Sequence, residues 1–164
     1  MLIENGNAVS NLADDILKIV VVNRYFDAPM AVAFIKNFGL KRGAIASSVA
    51  HDSHNVIAVG VDDASICRAV NLLIEHQGGL SAVNGEQEEI LALPIAGLMS
   101  PEPCEMVAEK YTRLVNISRN MGSTLRSPYM SLSFMALLVI PRLKLSDKGL
   151  FDGEKFEFCS LEVE

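Results

Sequence analysis

Tryptophan is absent from this 164-residue chain, and cysteine and histidine occur only three times each. Cys67, Cys104 and Cys159 are odd in number and widely spaced. No C-x-x-C pair exists, so neither a zinc knuckle nor a disulfide framework is indicated. Free thiols in a reducing compartment are the simplest reading. Positive charge is thin: 14 Lys and Arg stand against 20 Asp and Glu, a net charge of -6. The cations are scattered, with Lys41-Arg42 the densest pair, so the basic footprint of nonspecific nucleic-acid binding is missing. No apolar run approaches the ~18 residues that a membrane span needs, and no basic segment leads into an apolar one as in a signal peptide. A cytoplasmic protein with no nucleic-acid or membrane partner is expected.

Familiar catalytic signatures are also lacking. "GLKRGA" has neither the glycine spacing nor the Lys-Ser/Thr pair of a P-loop, and "NFGLKRG" is not a G-x-G-x-x-G fingerprint. There is no G-x-S-x-G elbow. The H-x-E and P-C-x-x-C signature of zinc deaminases fails because "EPCEM" stops after its first cysteine.

What is present is a core. Half of the residues are hydrophobic, which suffices for one domain, and the seven methionines suit core filling. Residues 1–13 read as a lead-in or short hairpin, turn-rich around Asn5-Gly6-Asn7, and residues 14–164 as the domain proper. "ILKIVVVNRY" is a β-branched run whose continuous apolar stretch from Ile19 to Val22 predicts burial on both faces. "GAIASSVA" and "NVIAVGV" read as further strands, and "MAVAFIKNFGL", whose Ala and Met favour helix while Val32, Phe34 and Ile35 tolerate strand, leans to strand. Asp62 and Asp63 can cap a helix whose inward face carries Ile66, Val70, Leu73 and Ile74, ended by Gly78-Gly79. "LSAVNGEQEEILAL" reads as a hairpin turning at Asn84-Gly85. A second helix follows, with Ser100 placed to cap it and Val107, Tyr111, Leu114 and Ser118 as its inward stripe. "SPYMSLSFMALLVIP" suggests a third helix stopped before Pro141, and "KFEFCSLEV" an irregular terminal strand reaching Val163. The pattern gives an α+β fold: a mixed or mostly antiparallel sheet packed with two to three helices.

One stretch concentrates polar chemistry. "AHDSHNVIAVG" places His51, Asp52, Ser53, His54 and Asn55 directly before a buried strand. Imidazole and carboxylate suit a divalent metal or acid/base work, but a metal site needs about three protein ligands, and His76 is the one histidine left. Three readings stay open: a metal site built by this chain, a polar turn bonding its own backbone, or a site completed by another domain or subunit. "PIAGLMS" is an apolar connection between strand and helix, where packing or docking can operate.

Taken together, "DDILKIVVVNRY", "FGLKRGAIASSVAHDSHNVIAVG", "LPIAGLMS" and "GLFDGEKFEF" resemble the C-terminal region of microbial adenine deaminases over residues 14 to 164. The stretch "DAPMAVAFIKN" and Tyr25, where the resemblance implies a histidine, depart from that pattern. The resemblance implies a full-length amidohydrolase in which a separate (β/α)8 barrel holds two divalent metals, manganese or iron. Adenine would go to hypoxanthine and ammonia. No H-x-H pair occurs here, and 164 residues cannot hold a barrel of about 250. No cofactor or metal is therefore expected in this chain, and its first partner would be that barrel. Residues 51–55 would face the barrel mouth or a neighbouring subunit and close the purine pocket. A second reading makes the domain a docking or oligomerisation module, a homo-oligomer included, with Ile95, Leu98 and Met99 as its surface.

Overall fold

A computed structural model describes residues 2–4 and 6–161, with Leu2 and Glu4 as backbone only. Val163, and Asn5 of the expected first turn, lie outside the described residues. Strands β1 (Leu2–Glu4) and β2 (Asn7–Val9) pair antiparallel. The main sheet has six strands: β3 (Ile16–Val22), β4 (Ala31–Lys36), β5 (Ala44–Ser47), β6 (Val56–Gly60), β7 (Gly79–Asn84) and β8 (Gln87–Ala92). Their order is β4-β3-β6-β5-β7-β8, and every neighbouring pair is antiparallel.

The continuous apolar strands arise because this sheet is covered on both sides. Ile19, Val21, Ile45, Ile57 and Val59 point into one core cluster. Val20, Ala44, Ala46, Val56 and Ala58 point into the other. Helix α1 (Asp63–Glu75) seals the second face with Ile66, Ala69, Val70, Leu72 and Leu73. Helix α2 (Cys104–Asn120), helix α3 (Pro128–Phe134) and the hairpin of β9 (Leu143–Ser146) and β10 (Gly149–Asp152) cover the first. Strand β11 (Glu157–Phe158) adds to β10. The result is the expected α+β fold, here with an antiparallel sheet throughout.

Local chemistry corrects several boundaries. Asp62 caps α1 by accepting from the Ser65 amide at 2.8 Å. Ile74 is 62% exposed, and Leu72 takes its place inside. Both sit at the edges of the helical stripe, and the sheet reaches only the Leu72 edge. The left-handed residue that ends α1 is Gln77 (φ 61°) rather than a glycine. The Gln77 amide returns to the Ile74 carbonyl and the Gly78 amide to the Leu73 carbonyl, which completes a Schellman cap. The β7–β8 turn lies one residue later than expected. Asn84 pairs with Gln87, so the central pair is Gly85-Glu86, with Gly85 at φ 63° where a type II′ turn requires glycine. Ser100 does not cap α2. Its hydroxyl accepts from the Glu102 amide, while Pro103 holds the cap position without a side-chain bond. Helix α3 stops at Phe134, well before Pro141, and the terminal strand is only two residues long.

Candidate functional site

The polar turn lies between the end of β5 and the start of β6, at the same end of the sheet as the exit of β3 and the loop after β8. Each of these segments is fastened to another. His54 adopts φ 53°, a left-handed conformation that histidine tolerates, and its amide closes the turn on the Ala50 carbonyl at 2.7 Å. The His51 amide donates to the Ser133 carbonyl, and the His51 ring lies 5.1 Å from the Phe134 ring, so α3 supports the turn from behind. Asn55 is buried. Its Oδ1 accepts from the Arg24 amide and its Nδ2 donates to Ser53 Oγ, both at 3.3 Å. Asp52 and Ser53 are exposed, and the two histidines are half-buried.

From β3 come Asn23, Arg24 and Tyr25. The Asn23 Oδ1 accepts from the Tyr25 and Phe26 amides, which turns the chain sharply after the strand. The Tyr25 hydroxyl donates to the Ser53 carbonyl at 2.9 Å. The Arg24 Nη2 donates to the Ala96 carbonyl at 2.7 Å, and its guanidinium carbon stands 5.0 Å from the Tyr25 ring centre. Gly97 has φ 73°, and a β-carbon there would run into Arg24 Nη1, so the guanidinium can lie on this backbone only because residue 97 is glycine.

Ser48 joins the strand end to the third loop. Its Oγ accepts from the Gly79 amide at 2.8 Å and donates to the Gly97 carbonyl at 2.6 Å. Ile95 and Met99 are exposed and Leu98 is half-buried, while Ile95 and Met99 pair through their backbones. Between these loops and the C-terminal end of α1 opens a cleft of about 620 Å³.

Burial holds the His54 imidazole below its ordinary pKa, with His51 and Arg24 adding to the shift and Asp52 opposing it. The shift favours the neutral ring. The site offers donors, a neutral imidazole and an apolar rim, an arrangement suited to holding a group. Among the described residues, no three His, Cys, Asp or Glu side chains are grouped to hold a metal ion. His76 sits apart, capping α1, with Nδ1 2.9 Å from the Leu72 carbonyl. No helix among the described residues is long and apolar enough to cross a membrane.

The structure thus brings together the polar turn and the 94–99 loop, both singled out in the sequence. It joins them through Arg24, Tyr25 and Ser48, none of which was a candidate site residue in the sequence. A single Arg after a buried strand gives no sequence signal, because its partner Ala96 lies 72 residues away.

The family model for the adenine deaminase C-terminal domain matches residues 1–157, the initial hairpin included. A protein named adenine deaminase from Methanosarcina acetivorans is 56% identical over 99% of this chain. Namesakes from Sulfurovum sp. and Salinibacter ruber are 60% and 55% identical over 91% and 98% of it. The chain spans 28–30% of the length of these curated relatives. On that evidence the chain belongs to the adenine deaminase C-terminal domain family.

Proposed function

We propose that this chain is the C-terminal part of a hydrolase that converts adenine and water to hypoxanthine and ammonia, and that its own residues help to enclose the purine while the reacting groups lie elsewhere in the polypeptide. The observation that supports this most is the pairing of family membership with a missing donor set. The relatives named adenine deaminase are more than three times as long, and no metal-ligand cluster forms among the described residues here. A divalent pair, manganese or iron, would supply an activated water. The residues present do not fit such a pair, so we assign it to the barrel expected from the resemblance. The three free thiols, two of them exposed, suit the reducing cytoplasm in which we place the enzyme.

Within that reading, His51, Asp52, Ser53 and His54 form the face that closes over the substrate, and Asn55 holds it from inside. Neutral His54 is suited to hydrogen bonding at a purine edge. The alternative role is docking or homo-oligomerisation alone, supported by exposed Ile95 and Met99 beside half-buried Leu98. The discriminating experiment uses the full-length protein with His51→Ala and His54→Ala. Pocket closure predicts at least about a tenfold loss of kcat/KM for adenine, the equivalent of one lost interaction of roughly 1.4 kcal/mol, with metal content retained. Wild-type kcat/KM in both variants rejects closure and leaves docking.

A further inference from the structure

The cleft beside the polar turn holds a charge with no counter-charge. Of the described residues that line it, including Val22, Tyr25, Leu73, Gln77 and Pro94, Arg24 is the one ionised group. The chain carries six excess negative charges, yet no carboxylate among the described residues pairs with Arg24. Its Nε is buried and has no hydrogen-bond partner. The Nδ1 of His54, on the adjoining turn, is buried and unpartnered as well. Buried polar atoms are nearly always matched, and leaving one unmatched costs about 1–3 kcal/mol, more for a charged group. Arg24 Nε is a donor, so on the cleft's cation it calls for an acceptor from outside this chain, while His54 Nδ1 marks a second unmatched polar atom in the same loop cluster. The surroundings fit a protein surface: Tyr25 and Ile74 line the cleft, Phe26 and Ile95 adjoin lining residues in the chain, Met99 pairs with Ile95, and all five are large, apolar or aromatic, and exposed.

We propose that the cleft receives a carboxylate side chain from the remainder of the full-length polypeptide, with Arg24 as its charge-assisted partner and the apolar rim packing around it. The length of the relatives identifies the occupant, because this chain accounts for under a third of them. A guanidinium flanked by Tyr25 and seated on the Gly97 backbone is preorganised for a planar carboxylate. The inference rests on the reading above only in requiring a larger polypeptide.

The test is zero-length cross-linking of full-length Arg24→Lys. Carbodiimide activates a carboxylate, the ε-amine at position 24 displaces the urea by-product, and an amide bond records the contact. Peptide mass spectrometry should find residue 24 joined, within one molecule, to an Asp or Glu outside these 164 residues. A link to a second copy, a link to this chain's own carboxylates, or no link at position 24 overturns the proposal. Full-length Arg24→Gln gives an independent measurement. Amide exchange at Tyr25, Phe26 and Ile95 to Met99 should rise about tenfold while β5 and β6 keep their rates. Unchanged rates at those loops also overturn it. Adenine turnover by the wild-type protein is scored separately, so a cross-link without turnover would reject the deaminase reading alone.

Discussion

Replacing Ser48 with alanine should loosen the whole loop cluster from the sheet. The hydroxyl is fully buried, accepts from the Gly79 amide at 2.8 Å and donates to the Gly97 carbonyl at 2.6 Å. It therefore holds the first residue of β7 and the 94–99 loop against the end of β5. Removing it strands one buried donor and one buried acceptor, each worth about 1–3 kcal/mol. Ser48 borders the cleft, so a water can enter and restore part of the loss. The net cost should be about 2 kcal/mol. With a urea slope of about 2 kcal/mol per molar, the unfolding midpoint of the chain should fall by roughly 1 M. Hydrogen exchange should also speed at Gly97 and Leu98. A midpoint within about 0.2 M of wild type at an unchanged slope would refute the idea that this hydroxyl ties the loops to the sheet.

Other outcomes follow from single contacts. Asp62→Ala removes the acceptor for the Ser65 amide and hydroxyl, and should lower stability by about 1 kcal/mol, seen as a thermal midpoint reduced by a few degrees. Gly97→Ala should displace the Arg24 guanidinium and cost about 1–3 kcal/mol in urea unfolding, through the left-handed backbone and the clash together. His54 sets a pH dependence. Its folded pKa lies below the ordinary 6.5, so the unfolded chain takes up the proton first as pH falls. Its stabilisation is complete above pH 6.5 and lost as pH falls through the depressed folded value. His54→Asn should flatten that part of the stability–pH curve, and an unaltered curve would show that the ring is not buried against cations.

Much of the architecture was legible because burial leaves a pattern. Strands β3 and β6 are covered on both faces, so Ile19 to Val22 and Val56 to Val59 read as unbroken apolar runs rather than alternating ones. Helix α1 was marked by its Asp62 cap and inward stripe, although the choice between Leu72 and Ile74 depended on where the sheet ends. The β9–β10 hairpin left no comparable trace. Its strands are four residues each, its turn at Asp147-Lys148 is not a favoured glycine pair, and one of its buried side chains is Lys144. That amine stays inside by donating to the Pro141 and Leu143 carbonyls, and burial lowers its pKa. The residues after Phe134 are as apolar as a helix would be, yet the Met135 carbonyl accepts from the Leu145 amide of β9 instead of continuing the helical ladder.

The site was legible in part for a similar reason. A dense polar turn such as His51 to Asn55 is visible as composition. What it touches is a tertiary fact: Arg24 reaches Asn55 across 31 positions and Ala96 across 72. No local pattern encodes such a meeting, and the orphaned Nε of Arg24 appears only once the loops are in place.

On the reading developed above, this loop-bearing end of the sheet faces the rest of a larger polypeptide. Comparing amide hydrogen exchange of the isolated chain with that of the same residues in the full-length protein tests it most directly. Slower exchange is expected in the full-length protein at residues 23–28, 51–55 and 94–99, with the exposed face of α2 unchanged. Equal rates in those three loops, or protection confined to α2, would contradict it.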